Sequence, residues 1–290
     1  MTLKLDNIRF GYQSGGEKAY LLNGVNFTAE KGKITALVGS NGAGKTTLFN
    51  IISGFEKHFS GSIWYNGQNI SRLPSHRIAR LNILRMFQSP QMMKDQTLLE
   101  NIVMVAQDHC VGENPFLAPL LKKRIKKHEQ EKAERAIMLL NLFFEGHPAE
   151  LDKYLSKLND SATELSLGEQ RIMDFISLLM NIPTLEKSGE EARHESPKHT
   201  LLLLDEPTSG INITNIETIK KVLRNLTMHH NVTVLMVSHD MGFVRDLADT
   251  CVYLDHITGT TNLVASPDEV LSNESVRKNY LGYGKTVDNK

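Results

Sequence analysis

The sequence predicts an α/β fold with a mostly parallel sheet, an N-terminal antiparallel β part and an inserted α-helical subdomain. Alternating apolar residues over about the first 38 residues indicate strands. The continuous apolar runs Leu201–Leu204 and Val232–Val237 are typical of strands that are buried on both faces. Strand, helix and strand alternate at both ends of the chain, which favours a parallel sheet with helices packed on it.

The predicted elements follow one another in a simple order. The first half contains an apolar strand, a helix and a glycine that ends the helix: Ile34–Val38, Thr46–Ser53 and Gly54. Two apolar stripes at helical spacing predict the middle helices: Leu98, Ile102, Val105 and Ala106, then Ala133, Ala136, Ile137 and Leu140. Two more helices, Leu165–Asn181 and Ile216–Leu226, are predicted in the second half.

Composition and charge exclude several classes of protein. The 290 residues include 33 Lys plus Arg and 33 Asp plus Glu, a balance that argues against a nucleic-acid partner because such binding comes largely from neutralising phosphates. We expect no membrane span, since no apolar run reaches roughly 18 to 20 residues, and no secretory signal. Two cysteines, Cys110 and Cys251, cannot form a disulfide framework and fit a reducing compartment, with a single bridge between them left open as the alternative.

Two polar segments stand apart from this pattern. The basic run Lys122–Lys127 is typical of a solvated helix face or loop, and contact with anionic lipid head groups stays open as the alternative. The stretch Thr184–His199 is polar and charged and predicts a flexible surface loop. Its role is left open.

A glycine-rich loop after the strand Ile34–Val38 predicts a nucleotide site. The run from Gly39 to Thr46 fits G-x-x-x-x-G-K-[ST], between a strand and a helix, as a phosphate-loop NTPase core requires. Its glycines let successive N–H groups point at a polyphosphate, Lys45 reaches the outer phosphates and the Thr46 hydroxyl binds Mg²⁺. The predicted nucleotide-binding residues here are Gly39, Ser40, Asn41, Gly42, Ala43, Gly44, Lys45, Thr46 and Thr47.

Two acids end the strand Leu201–Leu204. Ligands gather at the carboxyl ends of parallel strands, so Asp205 and Glu206 are expected to face the phosphate loop. Asp205 suits a Mg²⁺ contact, and Glu206 suits a general base that activates the attacking water. Taken alone, the pair is equally typical of a solvated acidic turn before Pro207; the phosphate loop favours the functional interpretation.

Further motifs, in the same order as in a known family, give the chain a resemblance. They are Met86-Phe87-Gln88, Leu165-Ser166-Leu167-Gly168-Glu169-Gln170, Ser209-Gly210-Ile211-Asn212 and Val237-Ser238-His239-Asp240. The chain resembles the ATP-binding subunits of ABC transporters over roughly Leu3 to Gly282. The second motif looks like the family signature, the third like its D-loop, and the others like its glutamine loop and switch histidine.

The resemblance implies roles for these residues. The N–H groups of Ser166 and Gly168, with Glu169 beside them in the signature, would bind the γ-phosphate held by the opposite subunit. Ser166 to Glu169 is also an S-x-x-E capping box, and a capped helix start can itself bind an anion.

Three residues outside the signature receive roles in the same way. Gln88 would contact Mg²⁺ and the attacking water and relay the state of the site to a membrane partner. His239 would contact the γ-phosphate and orient the water. Tyr12 would stack on adenine.

Within the family, the chain is most similar to importer ATPases for branched-chain amino acids, and next to those for urea and short amides. The stretches that support this are Asn41–Phe55, Leu99–Gln107, His239–Asp255 and Asn279–Gly282. The chain departs from the family pattern at Leu167, in place of the second signature glycine, and at Asn212, where many members have aspartate. These departures put the fine geometry in question rather than the activity.

Together these features predict a single ABC ATPase domain over residues 1–284, followed by a tail over 285–290. Its nucleotide-binding core covers 1–91 and 181–284, and its helical subdomain covers 92–180. The resemblance implies ATP and Mg²⁺ as cofactors, and a second ABC ATPase subunit, in a homo- or heterodimer. It also implies transmembrane permease subunits, a periplasmic or extracellular substrate-binding protein, and a cytoplasmic location on the inner face of the membrane.

Other functions remain to be weighed. A soluble ABC ATPase with a non-transport role is one alternative, although the tandem copies of translation factors are absent. A DNA-repair ATPase would need a long heptad-patterned arm or a strongly basic face, and neither is present. A dinucleotide-binding dehydrogenase would need a third glycine where Thr47 stands.

Overall fold

The computed structural model describes residues 2–14, 17–106, 122–182, 185 and 199–279. The chain divides into two compact units. The first comprises Met1–Arg85, His199–Glu206 and Arg224–Lys290, and the second comprises Met86–Lys198 and Pro207–Leu223. The predictions for Cys110, the 285–290 tail and nearly all of the 184–199 stretch lie outside the described residues. The predicted domain bounds stay a prediction.

The first unit contains two sheets. Their strands are β1 (Leu3–Ser14), β2 (Glu17–Ala29), β3 (Ile34–Val38), β4 (Ser60–Tyr65), β5 (Gln68–Asn69), β6 (Ile83–Met86), β7 (Thr200–Asp205), β8 (Val232–Val237), β9 (Thr250–Leu254) and β10 (Thr261–Ala265). One sheet has the order β2-β1-β4-β5, and every pair within it is antiparallel. The other has the order β10-β9-β3-β8-β7-β6. The N-terminal antiparallel part of the prediction is therefore confirmed.

Strands β3, β7 and β8 form the centre of the larger sheet because their sequences are apolar on both faces. Every residue of the three strands is buried. β3 pairs in parallel with β8 and β9, and β7 pairs in parallel with β8, whereas β10 runs antiparallel to β9. Residues of both sheets share one hydrophobic core. The mostly parallel sheet predicted from the apolar runs is confirmed.

The described residues also form helices. They are α1 (Lys45–Ile52), α2 (Ser75–Ala79), α3 (Leu98–Met104), α4 (Lys122–Phe143), α5 (Pro148–Ser156), α6 (Leu167–Leu179), α7 (Ile213–His229), α8 (Met241–Leu247), α9 (Pro267–Ser272) and α10 (Glu274–Asn279). A 3₁₀ turn, Ala162–Glu164, precedes α6. α1 starts one residue before the predicted helix, and Gly54 follows its C-cap in the left-handed conformation (φ 74°).

The second unit packs α3, α4, α5 and α6 around an aromatic core. Phe143 and Phe144 meet edge to face at 4.9 Å, and Phe144 stacks on Tyr154 at 4.7 Å. Two stripe residues were predicted wrongly, because Val105 is 50% exposed and Ile137 is 37% exposed. Val105 is the C-cap of α3, where the helical stripe ends.

Ile137 lies beside the buried face of α4 rather than on it. The residues that do face the core of the second unit from this helix are Ala136, Leu139, Leu140 and Phe143. Among the described residues, no helix is both long and apolar enough to cross a bilayer.

Candidate active site at the carboxyl edge of the parallel sheet

The register of three parallel strands brings the predicted active-site segments of the first unit to one edge. Leu37 of β3 lies opposite Val237 of β8, and Val237 lies opposite Asp205 of β7. The phosphate loop, Glu206 and the segment that carries His239 each begin within two residues of this row. Their proximity therefore follows from strand pairing.

The backbone of the phosphate loop requires glycine, as Gly44 and Gly39 show. Gly44 is the N-cap of α1 and has φ 94°, a left-handed conformation that costs a residue with a Cβ atom free energy. A Cβ atom on Gly39 would overlap the carbonyl oxygen of Leu254. Between them the Ala43 N–H donates to the Ser40 carbonyl at 3.2 Å, which closes the loop.

Lys45 is held over the carbonyl groups of its own loop. Its side chain is buried, and Nζ donates to the Gly39 oxygen at 2.7 Å and to the Ser40 oxygen at 2.9 Å. Burial lowers the pKa of Lys45, while the negative charges of Glu206 and Asp205 oppose that shift. Phosphate oxygens would be stronger acceptors for this ammonium than neutral carbonyls, because charge-assisted hydrogen bonds are stronger.

The loop also contains a buried hydroxyl that fits a phosphate. The Oγ atom of Ser40 is inaccessible to solvent and has no hydrogen-bond partner among the described residues. A buried hydroxyl without a partner costs free energy. A polyphosphate in the loop would supply the missing acceptor, so the residues present fit the predicted nucleotide.

Asp205 is buried beside an arginine that sequence reasoning missed. The Arg85 Nη2 atom lies 3.9 Å from Asp205 Oδ2, and both side chains are nearly inaccessible. Arg85 Nη1 donates to Ser53 Oγ at 2.8 Å, and its guanidinium lies 5.9 Å from the ring centre of Phe49 and 5.8 Å from that of Phe55. The sequence feature that could have revealed Arg85 is its single charge within the otherwise apolar strand β6.

Glu206 and His239 are in contact. Glu206 has φ 54°, uncommon for a non-glycine residue, and its N–H donates to the Val237 carbonyl at 2.9 Å. The His239 N–H donates to Glu206 Oε2 at 3.3 Å, and His239 Nε2 lies 3.5 Å from Oε1. Burial, and then the charge of Lys45, lower the pKa of His239, with Asp205 opposing. The imidazole is therefore neutral near pH 7.

The oxygen donors predicted for Mg²⁺ fit that ion chemically. Thr46 lies in the first turn of α1 and is exposed, and Asp205 ends β7. A hydroxyl and a carboxylate are hard oxygen ligands, which Mg²⁺ prefers. Tyr12 of β1 is 61% exposed, and its ring meets the Phe10 ring edge to face at 5.1 Å.

The signature segment belongs to the second unit and begins α6 with a capping box. Ser166 is the N-cap; its Oγ accepts from the Glu169 N–H, and the Glu169 carboxylate accepts from the Ser166 N–H at 2.7 Å. The capping box expected from the sequence is therefore present. Gly168 lies against the backbone of Gly210 in the predicted D-loop, whose carbonyl oxygen a Cβ atom on Gly168 would overlap.

Gln88 is also in the second unit, where α6 holds its backbone. Arg171 donates from Nη1 to the Phe87 carbonyl at 2.9 Å and from Nη2 to the Gln88 carbonyl. One turn later, Asp174 accepts from the Gln91 N–H at 3.3 Å. Burial raises the pKa of Asp174 to about 6 against the effects of Gln91 and Arg171. Sequence reasoning missed both α6 residues, because their partners are backbone groups distant in sequence.

Arg85→Met should destabilise the protein strongly. It leaves the Asp205 carboxylate buried without this guanidinium, a change that typically costs about 3–5 kcal/mol of unfolding free energy. Urea unfolding measures this cost. Arg72→Met is the matched control, since exposed Arg72 lies 5.8 Å from the Phe59 ring and should cost less than about 1 kcal/mol. Equal losses for the two variants would contradict the account of Arg85.

Gly168→Ala should destabilise the protein although alanine is the better helix former. The added Cβ meets the Gly210 backbone, and such overpacking typically costs about 1–3 kcal/mol. Gly242→Ala in α8 is the control, because the Cβ there lies 3.2 Å from a side-chain oxygen of Asp240 rather than from backbone. Thermal unfolding should show a lower midpoint temperature for Gly168→Ala than for Gly242→Ala. A gain in stability for Gly168→Ala would refute the close approach of Gly168 to the Gly210 backbone.

Known proteins of one family are similar to this chain. A family model described as ABC transporter matches residues 22–186. The high-affinity branched-chain amino acid transport ATP-binding protein BraF of Pseudomonas aeruginosa is 33% identical over 262 residues, covering 90% of this chain and 91% of BraF. The corresponding protein LivG of Escherichia coli K12 is 29% identical, with 90% and 91% covered.

Solved structures show the same fold. The ADP conformation of MJ1267, an ATP-binding cassette of an ABC transporter, has a TM-score of 0.70 and 26% identity, covering 97% of this chain and 98% of that one. A dimeric post-hydrolysis state of the cassette MJ0796 bound to ADP and Pi has a TM-score of 0.69 at 21% identity, with 91% and 98% covered. The chain belongs to the ABC transporter family, as one of its ATP-hydrolysing subunits.

Proposed function

We propose that the chain is the motor subunit of an importer, and that ATP hydrolysis at the carboxyl edge of the parallel sheet powers uptake of a small solute through a separate permease. The observation that carries this proposal is the contact of Glu206 with His239 at the sheet edge where the phosphate loop begins. A base beside a nucleotide loop serves hydrolysis rather than storage of the nucleotide.

ATP binding engages groups that are already in position. The ammonium of Lys45 exchanges the Gly39 and Ser40 carbonyls for the outer phosphates, and Ser40 Oγ gains its missing partner. Thr46 and Asp205 would hold Mg²⁺, which would supply positive charge to neutralise charge that develops on the phosphates. The stacking of Tyr12 on adenine, the contacts of Asn41 to Ala43 and Thr47, and the Mg²⁺ role of Gln88 stay predictions.

Glu206 accepts the proton of the attacking water, and His239 orients that water. The His239 N–H bond fixes one carboxylate oxygen, Oε2, while Oε1 faces the imidazole Nε2. Because the lowered pKa keeps His239 neutral, its ring can accept one hydrogen bond and donate another.

The working unit is a dimer with shared sites. Each ATP lies between the phosphate loop of one subunit and the Ser166–Gly168 segment of the other, where the amino-terminal N–H groups of α6 attract the γ-phosphate. ATP favours the closed dimer and hydrolysis reopens it, a population shift that drives the permease between two states. Partners are therefore a second ABC ATPase subunit, identical or related, and transmembrane permease subunits.

The names of the relatives indicate the cargo. BraF and LivG are called branched-chain amino acid transport proteins, which favours amino-acid import over urea, short amides or a non-transport role. A periplasmic or extracellular substrate-binding protein would deliver the cargo, and the subunit would lie in the cytoplasm against the inner face of the membrane. For the basic run Lys122–Lys127, lipid contact and a solvated face both stay open as predictions.

Glu206→Gln should separate binding from hydrolysis. The amide keeps the shape of the side chain but cannot accept the proton, so ATP hydrolysis should fall by about a hundredfold or more while Mg-ATP still binds. The trapped ATP should hold the dimer together on a sizing column. Phosphate release and light scattering measure the two outcomes.

Glu217→Gln is the matched control, because Glu217 is an α7 carboxylate paired with Lys220 at 2.8 Å. It should hydrolyse ATP like the original chain and show no persistent dimer. Normal turnover in Glu206→Gln would refute Glu206 as the base.

A further inference from the structure

The carboxylate of Glu169 in the signature segment is fully engaged. Its Oε2 atom accepts from the Ser166 N–H at 2.7 Å, and its Oε1 atom lies 2.5 Å from Nζ of Lys153 in α5. The Glu169 side chain is only 16% exposed. Burial alone would raise the pKa of Glu169, but the hydrogen bonds from Lys153 and Ser166 outweigh it and lower the pKa to about 2. Glu169 is therefore an anion at neutral pH.

This anion lies where the proposed site needs positive potential. The amino-terminal turn of α6 attracts a phosphate through its N–H groups and the helix dipole. A carboxylate in the same turn opposes that attraction, because two negative charges at this range repel each other. An uncompensated Glu169 would therefore weaken the binding of a γ-phosphate at Ser166 and Gly168.

Lys153 is the group that compensates this charge. The signature segment lines a pocket of about 300 Å³. The charged residues that line this pocket, among those that the structure describes, are Glu150, Lys153 and Glu169. Asn215 also lines the pocket, and its buried Oδ1 atom has no hydrogen-bond partner among the described residues. Lys153 is the single cation among these lining groups.

We propose that Lys153 is a positioning residue of the shared ATP site: its ammonium neutralises Glu169 and holds it in the capping box, so that the start of α6 can accept the γ-phosphate of the opposite subunit's ATP. The inference rests on the shared-site function proposed above. Nothing in the sequence around Lys153 marks it, since it lies in a different helix from the signature.

The test uses the Glu206→Gln chain, in which ATP drives dimer formation without turnover. Adding Lys153→Met should raise the ATP concentration for half-maximal dimer by about tenfold or more, because the Glu169 charge is then unopposed. With Lys153→Arg instead, the ATP concentration for half-maximal dimer should stay near that of the Glu206→Gln chain. Lys157→Met, at the C-cap of the same helix, is the matched control and should also leave it unchanged.

The decisive variant combines Lys153→Met with Glu169→Gln. Glutamine preserves the capping box but carries no charge. The ATP concentration for half-maximal dimer in the double variant should therefore lie within about threefold of the value for the Glu206→Gln chain. Mg-ATP binding to the monomer and the unfolding temperature, within about 2 °C, should be the same in all variants, because partly exposed ion pairs add little stability.

Two outcomes would overturn the inference. One is unchanged dimer formation in the Lys153→Met variant; the other is a loss that Glu169→Gln fails to restore, which would indicate a purely structural role. If the Glu206→Gln chain with Lys153 intact does not dimerise in ATP, the shared-site function itself fails, and the two failures are thereby distinguished.

Discussion

The shared register of β3, β8 and β7 is the constraint on which the first unit's chemistry depends. Because Leu37, Val237 and Asp205 form one row, the chain leaves the sheet three times at the same edge and delivers a cationic loop, a base and an imidazole there. A shift of one residue in any pairing would turn these strands' side chains to the opposite face. All three strands are completely buried in the sheet that carries this row.

Charge compensation recurs in both units. Burial lowers the pKa of Lys45 and of Arg85. Glu206 and Asp205 oppose this shift for Lys45, and Asp205 opposes it for Arg85. In the second unit, Lys153 balances Glu169 at the start of the signature helix. In each case a charged group is kept ionised by a neighbour of opposite charge.

The sequence predicts those features that depend on contiguous residues. The phosphate loop, the acids after β7 and the capping box at Ser166 are local patterns, and each lies on the predicted element. Arg85 and Lys153 were not predicted, because their partners are distant in the chain and a lone charge carries no signal of its own. The prediction that Val105 faces the core failed because apolar periodicity does not show where a helix ends. The prediction for Ile137 failed because neighbouring residues of a helix point in directions that differ by about 100°.

The most direct test of the shared ATP site is a crystal structure of the Glu206→Gln variant with ATP and Mg²⁺. The account predicts a dimer in which Lys45 Nζ has left the Gly39 and Ser40 carbonyls for the outer phosphates, and in which Ser166 of the second subunit contacts the γ-phosphate. ATP bound with its γ-phosphate contacted by one subunit alone, or with Lys45 still on those carbonyls, would contradict it.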